Sequence, residues 1–144
     1  MPEVHEGSCA CRAIGYRVTG NPMRASVCHC TFCQRRTGSA FAILAVFKED
    51  QVELTGDTLS VFEHRSDESN LSLRLEFCNR CGTTVAVRLE RFPGARGIFV
   101  GTFDDPNWVK IERHIWTRSA QHWVVFPENM ERFEKSTPQA PTPG

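Results

Sequence analysis

Mainly β, in a single domain, is the class this sequence predicts, and three observations carry that expectation. Apolar residues recur at every second position in run after run, as in Ile14, Tyr16 and Val18 or Leu71, Leu73, Leu75 and Phe77; a period of two is that of a strand with one buried face. Turn pairs such as Asn21-Pro22, Gly56-Asp57 and Asp105-Pro106 separate the runs. Seven cysteines, grouped two, three and two, lie at turns between the runs. The length of 144 residues fits one domain, expected over residues 1–135, with residues 136–144 (STPQAPTPG) as a disordered, Pro-rich tail.

The elements follow in order. The segment Gly7 to Gly20 places Ile14, Tyr16 and Val18 at period two, which predicts a half-buried strand following the Cys9-Ala10-Cys11 turn. In a regular strand residues two apart are separated by about 6.6 Å, whereas two sulfurs on one zinc lie about 3.8 Å apart. This Cys-Ala-Cys segment must therefore be kinked if both thiols hold the same ion. The stretch Cys28 to Phe41 (CHCTFCQRRTGSAF) reads as a loop around which the rest of the chain is organised, closed by Thr37-Gly38-Ser39. Ala40 to Phe47 is apolar on both faces, as in a strand buried on both sides. Leu59 to Glu63 and Leu71 to Phe77 alternate as strands joined by a polar hairpin, His64 to Asn70, read as a solvated tip. Thr83 to Leu89, Gly97 to Phe103 and Val109 to Trp116 predict further strands, and Glu128 to Lys135 a helical turn. Trp108, Trp116 and Trp123, with Phe126 and Phe133, are expected in the core rather than on a base-stacking surface.

The cysteines carry the chemistry. Cys78-Asn79-Arg80-Cys81-Gly82 has the two-residue spacing of a zinc knuckle, and glycine after the second thiol permits the positive φ that such a turn needs. A thioredoxin-like redox pair would need a helix starting at the motif, but β-branched, alternating residues follow it. Taken with Cys9 and Cys11, the pair makes a closed four-thiolate site; Cys28, Cys30 and Cys33 make a three-thiolate site that leaves a tetrahedral metal one open position. His29, between two of these cysteines, points away from a metal held by its neighbours if the loop is extended there. Ser39 and His114 do not make a hydrolase triad, since no G-x-S-x-G elbow surrounds the serine.

Composition excludes other classes. Hydrophobic residues are 40% and charged residues 24% of the chain, and no apolar run approaches the roughly 18 residues of a membrane span. The N-terminus lacks the pattern of a secretory signal, so the expectation is a soluble, cytoplasmic protein in a reducing compartment. An odd number of thiols also argues against a complete disulfide framework. Seventeen basic and seventeen acidic residues cancel, leaving no global field to gather a polyanion; nucleic acid is not an expected partner. Oligomeric state has no signature in this sequence.

The motifs GSCACRAIGY, CHCTFCQRRTGSAF, FCNRCGT and HIWTRSAQHW together resemble the glutathione-dependent formaldehyde-activating enzyme family, whose domain also occurs in centromere protein V. The resemblance covers roughly residues 7–133. It implies a β-tent fold of small antiparallel sheets and two zinc ions per chain. One is structural, on Cys9, Cys11, Cys78 and Cys81; the other is open, on Cys28, Cys30 and Cys33, and its occupancy can be partial. It implies a carbon–sulfur lyase that joins glutathione, or another small thiol, to a small aldehyde such as formaldehyde, giving S-hydroxymethylglutathione, with Cys28, Cys30 and Cys33 as the catalytic centre. Arg35 and Arg36 are candidates to receive substrate carboxylates through paired hydrogen bonds, or else to offset the charge of three thiolates on one Zn²⁺, which sums to −1. The alternative is a non-catalytic, zinc-stabilised module that binds a macromolecular partner.

Overall fold

The computed structural model describes residues 2–138. Among the described residues, eleven strands form two sheets, accompanied by one short α-helix and several 3₁₀ turns. The smaller sheet joins β1 (Val4–Ser8), β2 (Gly15–Thr19) and β5 (Val52–Thr55) in the order β1-β2-β5, all antiparallel. The larger contains β3 (Arg24–Cys28), β4 (Ala42–Lys48), β6 (Leu59–Arg65), β7 (Ser72–Cys78), β8 (Thr84–Leu89), β9 (Ala95–Phe99), β10 (Arg113–Ile115) and β11 (Glu131–Arg132). Its order is β11-β10-β3-β4-β9-β8-β7-β6. Pairing is antiparallel except that β10 runs parallel to both β3 and β11.

The large sheet has two different faces, and strand alternation decides which residue serves which. On β4, Ala45 and Phe47 are fully buried in the core between the sheets, together with Val18 from the small sheet, Ile14 just before its strand β2, and Val85 and Ile98 from the large one. Their neighbours Ala42, Leu44 and Val46 face the other way and line a cleft. The same split runs along β3: Ala25 joins the core, while Arg24, Ser26 and Cys28 face the cleft. A single sheet thus provides both the main core and the wall of the candidate site.

The structure departs from the sequence expectations at several points. The stretch Cys28 to Phe41, expected as loop, instead begins at the end of β3 and forms helix α1 (Thr31–Thr37). Gln34, Arg35 and Arg36 are good helix formers, Cys30 caps the start, and Gly38 at φ 66° ends the helix with its N–H on Gln34 O. The strand expected over Gly97 to Phe103 stops at Phe99 and continues as a 3₁₀ turn. That expected over Val109 to Trp116 shrinks to β10. The helical turn expected at Glu128 to Lys135 is instead β11, because its backbone finds tertiary partners: Phe133 N–H donates to His114 O at 2.9 Å, and Trp116 N–H to Lys135 O at 3.1 Å. Pairing with residues distant in sequence there outweighs a weak local helix preference.

Trp108 does pack against the core, edge-on to Phe103 at 5.2 Å. Trp123 does not: it is 66% exposed, with its indole N–H on Gln121 Oε1. The segment around it has no strand partner to carry it inward. The tail begins within the described residues, where Thr137 accepts hydrogen bonds from Arg24 and Arg91; residues 139–144 lie outside them. Among the described residues no helix is long and apolar enough to cross a membrane.

Candidate metal centres and cleft

Cys9 and Cys11 sit in the turn between β1 and β2. Cys9 N–H donates to Ile14 O and Arg12 N–H to Cys9 O, both at 3.0 Å, and Arg12 takes a positive φ of 67°. The kink required by the sulfur spacing is present. Cys78 ends β7 and Cys81 lies in the turn to β8, where Gly82 adopts φ 81° and donates to Cys78 O at 2.8 Å. The four thiol sulfurs lie within 4.8 Å of one another. Cys9 to Cys11 is 3.7 Å and Cys11 to Cys78 is 3.8 Å, the separation that two sulfurs on one tetrahedral zinc require at about 3.8 Å.

Polar hydrogens already point at these sulfurs, as the surroundings of a metal thiolate demand. Ile14 N–H donates to Cys9 Sγ at 3.2 Å, and the Thr58 and Thr83 hydroxyls lie 3.3 and 3.2 Å from Cys78 and Cys81. The hydroxyl and N–H of Thr83 hold the Cys81 thiol down at about 5. The donor set therefore fits a metal ion. It also ties a hairpin of the small sheet to a hairpin of the large one.

The second cluster is built from one short stretch. Cys28 ends β3, Cys30 is the N-cap of α1, and Cys33 lies in its first turn, with Cys33 N–H donating to Cys30 Sγ at 3.3 Å. Their sulfurs also lie within 4.8 Å of one another, each residue half-buried. Hydrogen bonds from the Cys28 and Cys33 thiols hold Cys30 down at about 3, and the same contact with Cys30 pushes Cys28 far up. Negative charge thus gathers at Cys30. All seven cysteines are free thiols.

His29 stays outside this cluster, as alternation predicts. It is fully buried, packed edge-on between Phe41 and Phe126, each 5.3 Å away, and its Nε2 lies 2.8 Å from His114 Nδ1. Burial pulls His29 down to about 4, so both rings are neutral near pH 7. Arg36 turns toward the thiols. Its guanidinium lies over the Phe99 ring at 4.4 Å, and burial lowers its pKa while negative charge on Cys33, Cys30 and Cys28 opposes that lowering. Arg35 is exposed on the cleft rim.

The three thiols open on a cleft of about 1370 Å³ walled by the outer face of the large sheet. The hairpin His64 to Asn70 is more than the solvated tip expected of it: His64, Ser66 and Glu68 line this cleft. The His64 ring stacks on Phe32 of α1 at 3.7 Å, and Glu68 pairs with Arg118, next to the Ser119 that Gln34 of α1 contacts. The hairpin is therefore docked on α1, the helix that carries Cys33. Gln34 braces the helix from behind, donating to His29 O at 2.8 Å and Ser119 O at 2.9 Å. Sequence reasoning missed His64, Phe32 and Gln34, because their roles depend on how separate elements meet. Arg24 had a signal, since Arg24, Ser26 and Cys28 share one face of a strand at period two.

The model of one family, glutathione-dependent formaldehyde-activating enzyme, matches residues 4–119, which include every cysteine described above. This chain belongs to that family. A Colletotrichum graminicola protein named for the same family is 30% identical over 105 residues, covering 69% of this chain and 53% of that protein, so this chain spans about half the length of that relative. A Halomonas elongata relative with the same family name is 26% identical over 126 residues, covering 74% of this chain and 80% of its own length. A crystal structure of a Rhodobacter sphaeroides protein shares the fold with a TM-score of 0.56 at 21% identity, over 74% of this chain and 96% of that one.

Proposed function

We propose that the protein is a zinc-dependent carbon–sulfur lyase acting on the adduct of a small thiol with a small aldehyde, S-hydroxymethylglutathione being the first candidate. The observation that carries this reading is the placement of Cys28, Cys30 and Cys33, three thiols with no fourth protein ligand among the described residues, on the wall of a cleft large enough for a tripeptide. Cys9, Cys11, Cys78 and Cys81 would hold a structural zinc, and the open trio a second. A zinc ion there supplies positive charge that favours the thiolate form of an incoming thiol.

The remaining work falls to the chain's own side chains. Arg36 balances the excess negative charge of the trio, and the His64 hairpin with Phe32 limits water at the thiol end. In the synthetic direction a carbon–sulfur bond forms as the carbonyl π bond of the aldehyde opens, and the thiol's proton ends on the new hydroxyl oxygen. The lyase direction reverses each change. The competing reading, a module for a macromolecule, would draw on charge spread over an outer surface. Arg24, Arg36 and Arg91 instead line the cleft that the thiols share, which suits a small ligand.

Exchange between free glutathione and its formaldehyde adduct, measured by NMR, tests the proposal because the uncatalysed rate is recorded in the same tube. Exchange should rise in proportion to protein concentration and fall back with Cys30→Ser. A rate equal to that in buffer at every protein concentration would sink the enzymatic reading.

A further inference from the structure

The cleft has a second polar end. Arg24 opens β3 and Cys28 closes it on the same face, so four residues at about 3.3 Å each place them about 13 Å apart. Ser26 lies between them, with Leu44 and Val46 beside it on β4. Arg91, just beyond β8, meets Arg24 there. Both guanidiniums lie against the Phe92 ring, at 5.3 and 5.6 Å from its centre, and both reach Thr137. Arg24 Nη1 donates to Thr137 Oγ1 at 3.0 Å; Arg91 Nη2 donates to Thr137 O at 2.5 Å and to its Oγ1 at 3.3 Å.

Two cations therefore share one neutral residue that offers two oxygens. Among the described residues neither arginine pairs with a carboxylate, and Arg91 Nε is buried with no hydrogen-bond partner. Nearby Arg113 adds a third positive charge, itself paired with Glu112 at 3.1 Å. Burial, and then repulsion from Arg113 and Arg91, brings Arg24 down to about 10. Guanidiniums held together this way are short of counter-charge, and their forked donors match the two oxygens of a carboxylate.

We infer that Arg24 and Arg91 form an anion subsite at the far end of the cleft, which takes a carboxylate of the ligand whose thiol lies at Cys28, Cys30 and Cys33, and that Thr137 fills it until that ligand arrives. An extended tripeptide spans about 10 Å, and the arginine side chains cover the remaining distance. The ligand's thiol rests on the function proposed above; the paired guanidiniums do not. This subsite also differs from the carboxylate role first considered for Arg35 and Arg36, of which Arg36 is turned to the thiols.

Calorimetric titration of the full chain separates the two ends. The probes are glutathione, S-methylglutathione with its sulfur blocked, glutathione with both carboxylates amidated, and 2-mercaptoethanol. Arg24→Gln with Arg91→Gln should weaken glutathione and S-methylglutathione by about tenfold or more, leave 2-mercaptoethanol unchanged, and make wild-type and variant equal toward the amidated peptide. If that variant is unstable, Arg24→Lys with Arg91→Lys, which keeps charge but loses the fork, should give an intermediate loss. Thr137→Gly should tighten S-methylglutathione. Unchanged glutathione affinity in the Gln variant, or an equal loss for 2-mercaptoethanol, overturns the subsite. S-methylglutathione binding that depends on Arg24 and Arg91, with no gain from a free thiol, would sink the thiol reading and leave the subsite standing. Failure of wild-type protein to bind any of the carboxylates sinks the subsite itself.

Discussion

The two cysteine clusters use the same ligand atom at similar spacing, yet the chain reaches them in opposite ways. Cys9 and Cys11 lie on one hairpin and Cys78 and Cys81 on another, in different sheets, with Cys11 and Cys78 67 residues apart in sequence. Cys9 and Cys78 are buried to 2% and 0% exposure, while Cys11 and Cys81 reach the surface. Cys28, Cys30 and Cys33 come from six consecutive residues, all half-buried and open to the cleft. A metal held by distant hairpins can leave only when the sheets part, so its binding free energy is folding free energy. A metal held by one strand end and one helical turn can leave when that turn moves. Dispersal in sequence makes the first cluster a constraint on the fold, and compactness makes the second available for chemistry.

The largest expected effect comes from breaking the dispersed cluster. Structural zinc can contribute about 10 kcal/mol or more to folding, comparable with the whole stability of a domain. Cys78→Ser should therefore give insoluble or largely unfolded protein, whereas Cys33→Ser should fold and keep one metal ion per chain. A Cys78→Ser protein with wild-type melting and full metal content would erase the difference between the clusters. Graded chelation probes the same contrast without mutation. Two zinc ions per chain are expected, one lost to mild chelator with the circular dichroism unchanged and one only on denaturation. Glutathione should alter the early phase, and its serine analogue should not. Loss in a single phase would mean that the two sites are energetically one.

Much of this contrast was legible in the sequence, because ligand spacing is a local property. The knuckle at Cys78 and Cys81, the kink at Cys9 to Cys11 and the outward turn of His29 all follow from bond lengths and strand alternation. What could not be read was how the cleft closes. The stacking of His64 on Phe32 and the pairing of Glu68 with Arg118 join elements distant in sequence, and no periodicity encodes such meetings. Helix α1 was missed for another reason: at seven residues it is too short to show a 3.6-residue pattern, and its cap is a cysteine instead of one of the usual small polar residues. The strand β11 replaced an expected helical turn because its partners lie on β10, outside any local window.

Acid provides a smaller perturbation, aimed at the support behind the local cluster. His29 is held neutral by burial at about 4, below its usual 6.5, so between those values the unfolded chain binds a proton that the folded chain refuses. Stability from this residue is therefore present above about pH 6.5 and falls as the pH drops toward 4, by up to about 3 kcal/mol. His29→Gln, which can keep a neutral hydrogen bond to His114, should flatten the dependence of urea unfolding on pH between 6.5 and 5. Thiolate protonation contributes to both proteins, so the difference in slope isolates His29. Equal slopes would mean that the histidine pair is already charged or already open to water.

The smallest expected effect distinguishes two neighbours on α1. Three thiolates with one Zn²⁺ carry a net charge of −1, and Arg36 lies close enough to those sulfurs to feel each of them, while Arg35 is exposed. If Arg36 offsets that charge, Arg36→Gln should lower the affinity of the open site for metal by about tenfold, or about 1.4 kcal/mol, and leave the four-cysteine site untouched. Arg35→Gln should change neither. Competition with a chromophoric chelator reads both sites in one titration, since they release metal at different chelator strengths. The opposite outcome, unchanged metal affinity but weaker glutathione binding in Arg36→Gln, would assign Arg36 to a substrate carboxylate. It would then place anion recognition at the thiol end of the cleft as well as at the Arg24 end. A loss confined to metal affinity keeps the two ends distinct, with charge balance at the sulfurs and anion binding about 13 Å away along β3.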